Sequence, residues 1–159
     1  MNYHPVCKKI VDLLKSQDIW FKTFEHGAVT TSEEAAKVRT GYSLAQGAKA
    51  LIVKVSSGND FAMLVIPGDH KFSNSLVKKA LDTSSLCFAT EGQVSELTGG
   101  VKLGGVPPFG NLFNLKVVAD PSLFDQEKII FNAGDRRFSV AMKSQDYRKL
   151  VNPEVVSII

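Results

Sequence analysis

Lys49 is where this sequence first raises a chemical question. In Lys49-Ala50-Leu51-Ile52-Val53-Lys54-Val55, strand alternation puts Lys49 on one face with Leu51, Val53 and Val55, while Lys54 shares the other with Ala50 and Ile52. An ammonium at the head of an apolar row must reach water, a carboxylate or a bound anion, because an unpaired buried charge is costly. A lysine at a strand's start can equally run its stem along the apolar surface and keep its head in water. A second candidate is the loop Gly104-Gly105-Val106-Pro107-Pro108-Phe109-Gly110. Its prolines fix their own φ and lack N–H groups, and its glycines let backbone approach a ligand. The amides of Gly104, Gly105, Val106, Phe109 and Gly110 can donate to a carbonyl or phosphate oxygen; with no ligand, the segment is a rigid turn. Neither GxxxxGK followed by Ser or Thr nor GxGxxG is present, so it is not a nucleotide loop of those kinds.

The third candidate is Phe131-Asn132-Ala133-Gly134-Asp135-Arg136-Arg137. It reads either as the turn between two strands with a solvated arginine pair, or as a pocket wall with two phosphate-facing arginines. His26, followed by Gly27, ends a strand and fits a surface or satisfied polar role. No Ser-His-Asp or Cys-His arrangement can be assembled from these spacings.

The elements that must position these residues follow from periodicity. Val6, Ile10, Leu13 and Leu14 recur at helical spacing and predict a helix from His4 to about Gln17 with Lys8, Lys9 and Lys15 outward. Trp20 to Glu25 reads as a strand, and Thr31-Ser32-Glu33-Glu34 as a capping box opening a short helix to about Arg39. Strands at Ala48 to Ser56 and Phe61 to Ile66 are joined by the turn-rich Ser57-Gly58-Asn59-Asp60. Asn74 to Leu81 predicts a helix, Leu86 to Ala89 a short buried strand, and Thr90 to Gln93 a second capping box on a helix ending before Gly99-Gly100. Strands at Lys116 to Ala119, Lys128 to Asn132 and Phe138 to Lys143 follow, then a helix capped by Ser144 that contains Tyr147 and Leu150. The end, from Val155 to Ile159, reads as a strand or packed tail. Hairpin-like strand pairs mixed with helices at irregular intervals predict an α+β domain, residues 1–159 forming one unit around a central mixed, largely antiparallel sheet flanked by helices.

Composition excludes classes without naming a function. The chain has 159 residues, 44% of them hydrophobic, enough for one sizeable core. Its 19 Lys+Arg against 16 Asp+Glu give a formal +3, too weak a bias for a histone-like or arginine-rich binder. No apolar stretch approaches the roughly 18 residues of a membrane helix, and Lys8, Lys9 and Asp12 break up the N-terminus where a signal peptide needs a continuous apolar block. Cys7 and Cys87 lie far apart, outside any metal or disulfide spacing, and there are 3 histidines, so no metal or other cofactor is expected and a reducing, cytoplasmic setting fits.

In order and spacing these pieces resemble the YbaK/prolyl-tRNA synthetase-associated domain family, aminoacyl-tRNA editing domains found free-standing or inserted in prolyl-tRNA synthetase. Glu25-His26 with Thr30-Thr31-Ser32-Glu33-Glu34-Ala35-Ala36, then Gly47 to Lys54, Gly104 to Gly110, Phe131 to Gly134, and Met142 to Tyr147 carry the resemblance across nearly the whole chain. It implies hydrolysis of the ester joining a wrong, small amino acid of the alanine, serine, cysteine and threonine class to the 3' end of tRNA. It also implies Lys49 as the residue most closely tied to activity, with Gly104 to Pro108 lying against the ester end, so that Lys49, Gly104 and Gly105 are the expected catalytic set. Relatives specific for alanine carry Lys-Asn in the lysine motif and a His-Pro pair near the C-terminal strands; this chain has Lys49-Ala50 and Asn132-Ala133-Gly134-Asp135 instead.

An aminoacyl ester is already activated, so hydrolysis needs a positioned water or substrate hydroxyl, charge stabilisation at the carbonyl oxygen and no strong protein nucleophile. On that chemistry the expectation is that the loop amides polarise the ester carbonyl while Lys49 holds the terminal phosphate or ribose, with water as nucleophile, or that loop and lysine exchange these roles. His26, Thr30, Thr31, Val106, Pro107, Pro108, Phe109, Gly110, Asn132, Ala133, Gly134 and Asp135 are the expected substrate contacts. Lys71, Lys78, Lys79, Arg136 and Arg137 are the expected tRNA phosphate contacts, of weak and salt-sensitive affinity. The mischarged tRNA, by its aminoacyl end, is the expected partner, and a prolyl-type synthetase or a multi-synthetase complex a further one; no membrane is involved. The rival reading is a non-catalytic tRNA-binding or assembly module of a synthetase complex, and a third is hydrolysis of another small acyl ester without tRNA.

Overall fold

A computed structural model describes residues 2–28, 31–55 and 60–159, apart from the side chains of Ser32, Glu34 and Ala36. The first helix, α1, spans Pro5–Ser16, with Val6, Ile10 and Leu14 buried and His4 as its cap, the ring Nδ1 accepting from the Val6 amide at 3.1 Å. Strand β1 (Phe21–Glu25) follows, then α2 (Ser32–Val38), β2 (Ala48–Val55), β3 (Phe61–Pro67), α3 (Asn74–Ala80), β4 (Leu86–Phe88) and α4 (Glu91–Thr98). The second half runs β5 (Lys116–Ala119), β6 (Lys128–Asp135), β7 (Phe138–Lys143), α5 (Ser144–Val151) and β8 (Glu154–Val155). The capping box predicted at Thr90 is formed, Thr90 Oγ1 accepting from the Gln93 amide and Gln93 Oε1 from the Thr90 amide. The box predicted at Thr31 and the turn at residues 57–59 rest on Glu34 and on a segment that lie outside the described residues.

The fold is α+β, but its strands form two sheets rather than one. β1-β7-β6 is antiparallel throughout, whereas β4-β2-β3-β5-β8 is mixed, with β5 parallel to both β3 and β8. A single parallel bridge from Gly47 to Ile130 links them at one corner. Strand alternation reveals which residues share a face but not which strands share a ladder, and the difference arises there. Between the sheets lies the larger core, where Ala48, Ala50 and Ile52 meet α1, β6 and β7. On the opposite face of the mixed sheet, Leu51 and Val53 pack with Val77 of α3. The two faces of β2 are therefore those its alternation predicts, with Lys49 at the head of the α3-side row.

Two local expectations change. Ala133 and Gly134 are not a turn: β6 continues through them to Asp135 with a register shift between Asn132 and Asp135, and the hairpin turns at Arg136-Arg137. Gly134 sits at φ +117°, and a Cβ there would run into the Val6 side chain of α1. Ser144 is the first residue of α5 rather than its cap; its hydroxyl donates to the Gln126 carbonyl at 2.6 Å, pinning the helix start to the preceding connection. The C-terminus is both strand and packed tail, since β8 pairs with β5 and the Ile158 amide donates to buried Asp120 at 2.8 Å.

Candidate active site

The site begins with a strand that stops short. β4 pairs with β2 only from Val53 to Val55, and α4 then leads the chain away. The Val55 amide bonds Asp60 and the Gly47 carbonyl bonds Gly68, so odd-numbered residues of β2 turn their backbone groups to β3. The Ile52 carbonyl bonds the Ala89 amide, so even-numbered residues face the other edge. Ala50 is thereby left with its N–H and C=O directed at an edge that no described strand covers. A cavity of about 280 Å³ occupies this gap, lined by β2 from Ala48 to Ile52 and walled by Thr31, Arg39, Gly104, Val106 and Asn132. Phe88 and Leu103, 61% and 50% exposed, stand at its rim, so the strand from Leu86 is an exposed edge and not the buried strand its apolar run predicts.

Lys49 reaches this cavity half-buried, its Nζ donating to the His70 carbonyl at 2.8 Å. Burial lowers its pKa below the ordinary lysine value; nearby Glu33 opposes that shift, Lys71 adds to it, and Asp69 opposes it. The ammonium is thus held by a neutral carbonyl, a bond that an incoming anion can replace.

Across the cavity, Gly104 turns the loop at φ +86°, a left-handed conformation that favours glycine, and its carbonyl accepts from Asn132 Nδ2 at 2.8 Å. Asn132 Oδ1 in turn accepts from Arg39 Nη2 at 3.0 Å. Arg39 Nε donates to Ser139 Oγ at 3.1 Å, and that hydroxyl lies 2.8 Å from His26 Nε2 and 3.1 Å from Asn132 Oδ1. One polar chain therefore runs from His26 through Ser139, Arg39 and Asn132 to the Gly104 carbonyl. Sequence reading singled out neither Arg39 nor Ser139. Arg39 closes a short helix, where an arginine normally meets solvent, yet here it is buried, and burial pushes its pKa down to about 10.

Of the residues expected at the site, Lys49, Gly104, Val106, Thr31 and Asn132 line the cavity. Gly105 packs against the backbone of Asp135 and Arg136, and its amide is taken by the Lys102 carbonyl at 2.9 Å. Pro107, Pro108, Phe109 and Gly110 turn inward: Tyr147 Oη donates to the Pro108 carbonyl at 2.6 Å, Phe109 packs against Phe131 and Tyr147, and Gly110 lies on Val117. Ala133 and Gly134 are buried, the latter against α1. Asp135 accepts from Arg137 at 2.8 and 2.9 Å, and that hydrogen bonding outweighs burial to hold its carboxyl below the usual range. His26 reaches the site only through Ser139, and Thr30 lies outside the described residues.

Among the basic candidates, Lys71 neighbours Lys49, and the Arg136 side chain lies over Gly104. Arg137 is bound to Asp135 and the Asn2 carbonyl. Lys78 and Lys79 sit beside Val55 and Asp60 at the far end of the sheet, roughly 20 Å along β2 from Lys49 at about 3.3 Å per residue. Burial pushes the Cys7 thiol up to about 11, which keeps it from serving as a nucleophile.

The α+β fold holds a lysine-edged cavity against a glycine-proline loop, and the sequence matches a family model, the aminoacyl-tRNA editing domain, over residues 26–150. The chain belongs to that family and is a hydrolase of mischarged aminoacyl-tRNA. It is 35% identical over 153 residues to the multifunctional Ser/Thr-tRNA deacylase ProXp-y of Escherichia coli K12, covering 94% of this chain and 90% of that protein. The structure of a candidate trans-editing enzyme for prolyl-tRNA synthetase has the same fold, with TM-score 0.83 and 23% identity over 99% of this chain and 98% of the other. No helix among the described residues is long and apolar enough to cross a membrane.

Proposed function

We propose that this chain removes serine and threonine from mischarged tRNA in trans, with Lys49 and the wall from Gly104 to Val106 handling the ester end. The observation that carries this is convergence: a cationic side chain, an approachable glycine turn and an uncovered strand edge face one small cavity. Similarity to a Ser/Thr-tRNA deacylase over nearly the full length of both proteins supports the amino acids.

The Lys49 ammonium leaves the His70 carbonyl to hold the phosphate or ribose of the terminal nucleotide. The ester carbonyl turns towards backbone donors at the open edge and the loop, where the Ala50 amide has no described strand partner and the Gly105 amide is already used. Water adds to the carbonyl carbon, the bond to the ribose oxygen breaks, and a proton from the water ends on that oxygen, releasing free amino acid and intact tRNA. Phe88 and Leu103 at the rim offer apolar surface on which the terminal base stacks. A prolyl-type synthetase is the partner this reading favours for delivery of the tRNA.

Deacylation of Ser-, Thr-, Ala- and Cys-charged tRNAs tests the proposal. Seryl- and threonyl-tRNA should be cleared fastest, and Lys49→Ala should lose at least a hundredfold in kcat/KM, about 2.7 kcal/mol, while keeping its melting transition. A folded Lys49→Ala variant with full activity overturns the assignment.

A further inference from the structure

Arg39 is 6% exposed in the cavity wall, and among the described residues no carboxylate forms an ion pair with it. Nε and Nη2 are committed to Ser139 and Asn132. Nη1 makes no hydrogen bond to a described residue and lies 3.7 Å from where a Cβ on Gly47 would sit. Gly47 itself lines the cavity, so its missing side chain leaves Nη1 open on that side. Nor is Nη1 sealed in protein: among the described residues, Tyr3 Oη is the fully enclosed side-chain polar atom without a partner. A guanidinium taken from water without an anion is costly, and it has donors only. A wall built this way suits an oxygen acceptor.

We propose that Arg39 Nη1 reads the side-chain hydroxyl of the amino acid being removed, which makes Arg39 a specificity-determining residue; this rests on the serine and threonine reading above. An aminoacyl ester brings three polar groups into the cavity. The α-ammonium is repelled by the guanidinium and finds an acceptor in the Ala50 carbonyl at the open edge. The ester carbonyl stays near the mouth, tethered to the ribose outside. The side-chain hydroxyl is the remaining acceptor, and it enters furthest. Asn132 and Ser139 hold the guanidinium plane, so Nη1 is a fixed donor, and an analogue lacking the hydroxyl leaves that donor buried and unmatched.

The test exchanges hydroxyl for methyl at nearly constant volume, comparing kcat/KM for seryl- against 2-aminobutyryl-tRNA and for threonyl- against valyl-tRNA. Wild-type protein should favour each hydroxyl substrate by roughly 10- to 100-fold, the worth of one hydrogen bond to a charged group. In Arg39→Met the ratio should collapse towards one, mainly through slower turnover of the hydroxyl substrate, and Arg39→Lys should keep only part of it. A wild-type ratio near one overturns the inference. So does a parallel loss on both substrates in Arg39→Met, which would mark Arg39 as structural only. Should Arg39→Met fail to fold, Gly47→Ala sets a methyl in van der Waals contact with Nη1 at 3.7 Å, its tighter contact being the Leu44 carbonyl at 3.2 Å, and by covering the open side it should lower the ratio; an unchanged ratio again overturns it. Failure of the underlying reading looks different, since wild-type protein would then clear neither seryl- nor threonyl-tRNA.

Discussion

Lys49 and Arg39 are both cations withdrawn from water, and they differ in how far the sequence reveals them. Lys49 announces itself through parity, because a charge at the head of an apolar strand row is conspicuous. Arg39 does not, since one arginine after a short helix looks like any other until the tertiary fold buries it beside Ser139, 100 residues away. The Arg136-Arg137 pair shows the same limit: one side chain lies over Gly104 and the other is bound to Asp135, a division no spacing encodes. Burial gives Lys49 a testable signature. Its folded pKa lies below the ordinary lysine value of 10.5, so the ammonium is lost as pH rises through that lowered value. The enzymatic kcat/KM, corrected for spontaneous ester hydrolysis, should therefore fall on an alkaline limb centred below 10.5. In Lys49→Arg any residual activity should not follow that limb, because arginine ordinarily holds its proton well above the lysine value. Identical limbs in the two proteins would assign the titration elsewhere.

Elements were more legible than their uses. The glycine-proline segment declares itself a shaped loop, but not that its halves face opposite ways, Gly104 to the cavity and Phe109 into the core. What divides them is Tyr147, one turn into the last helix, whose hydroxyl meets the Pro108 carbonyl while its ring packs on Phe109. Burial raises the pKa of this phenol, which keeps it a donor at all working pH values. Tyr147→Phe removes that donor and strands a buried carbonyl, at a cost of about 1 to 3 kcal/mol in urea unfolding. Because the loop also fixes Gly104, kcat should drop with little change in KM. Unaltered stability would show the bond to be without consequence. Strand pairing was the least legible level, since the short run from Leu86 to Phe88 gives no sign that it covers half of β2 and leaves the rest bare.

For the whole molecule the balance of 19 basic against 16 acidic residues matters less than where the bases stand. Lys71 is beside Lys49, Arg137 is bound within the fold, and Lys78 and Lys79 are at the far end of the sheet. Such an arrangement suits the proposed grip on the acylated end of a tRNA rather than on its body. The logarithm of kcat/KM against that of salt should thus slope at only about −1 to −3, given roughly −0.7 per single-strand phosphate, and Lys71→Ala should flatten it by about 0.7. A slope untouched by Lys71→Ala would remove that lysine from the path of the tRNA.

The uncovered edge at Ala50 has one more implication. Bare strand edges are where foreign strands attach, and proteins commonly blunt them with charge, bulges or covering loops. Here the edge is recessed behind Phe88, Leu103 and the turn at Gly104, in a cavity of about 280 Å³. On the proposed reading, the same recess that admits a small guest keeps a foreign strand from pairing along that edge.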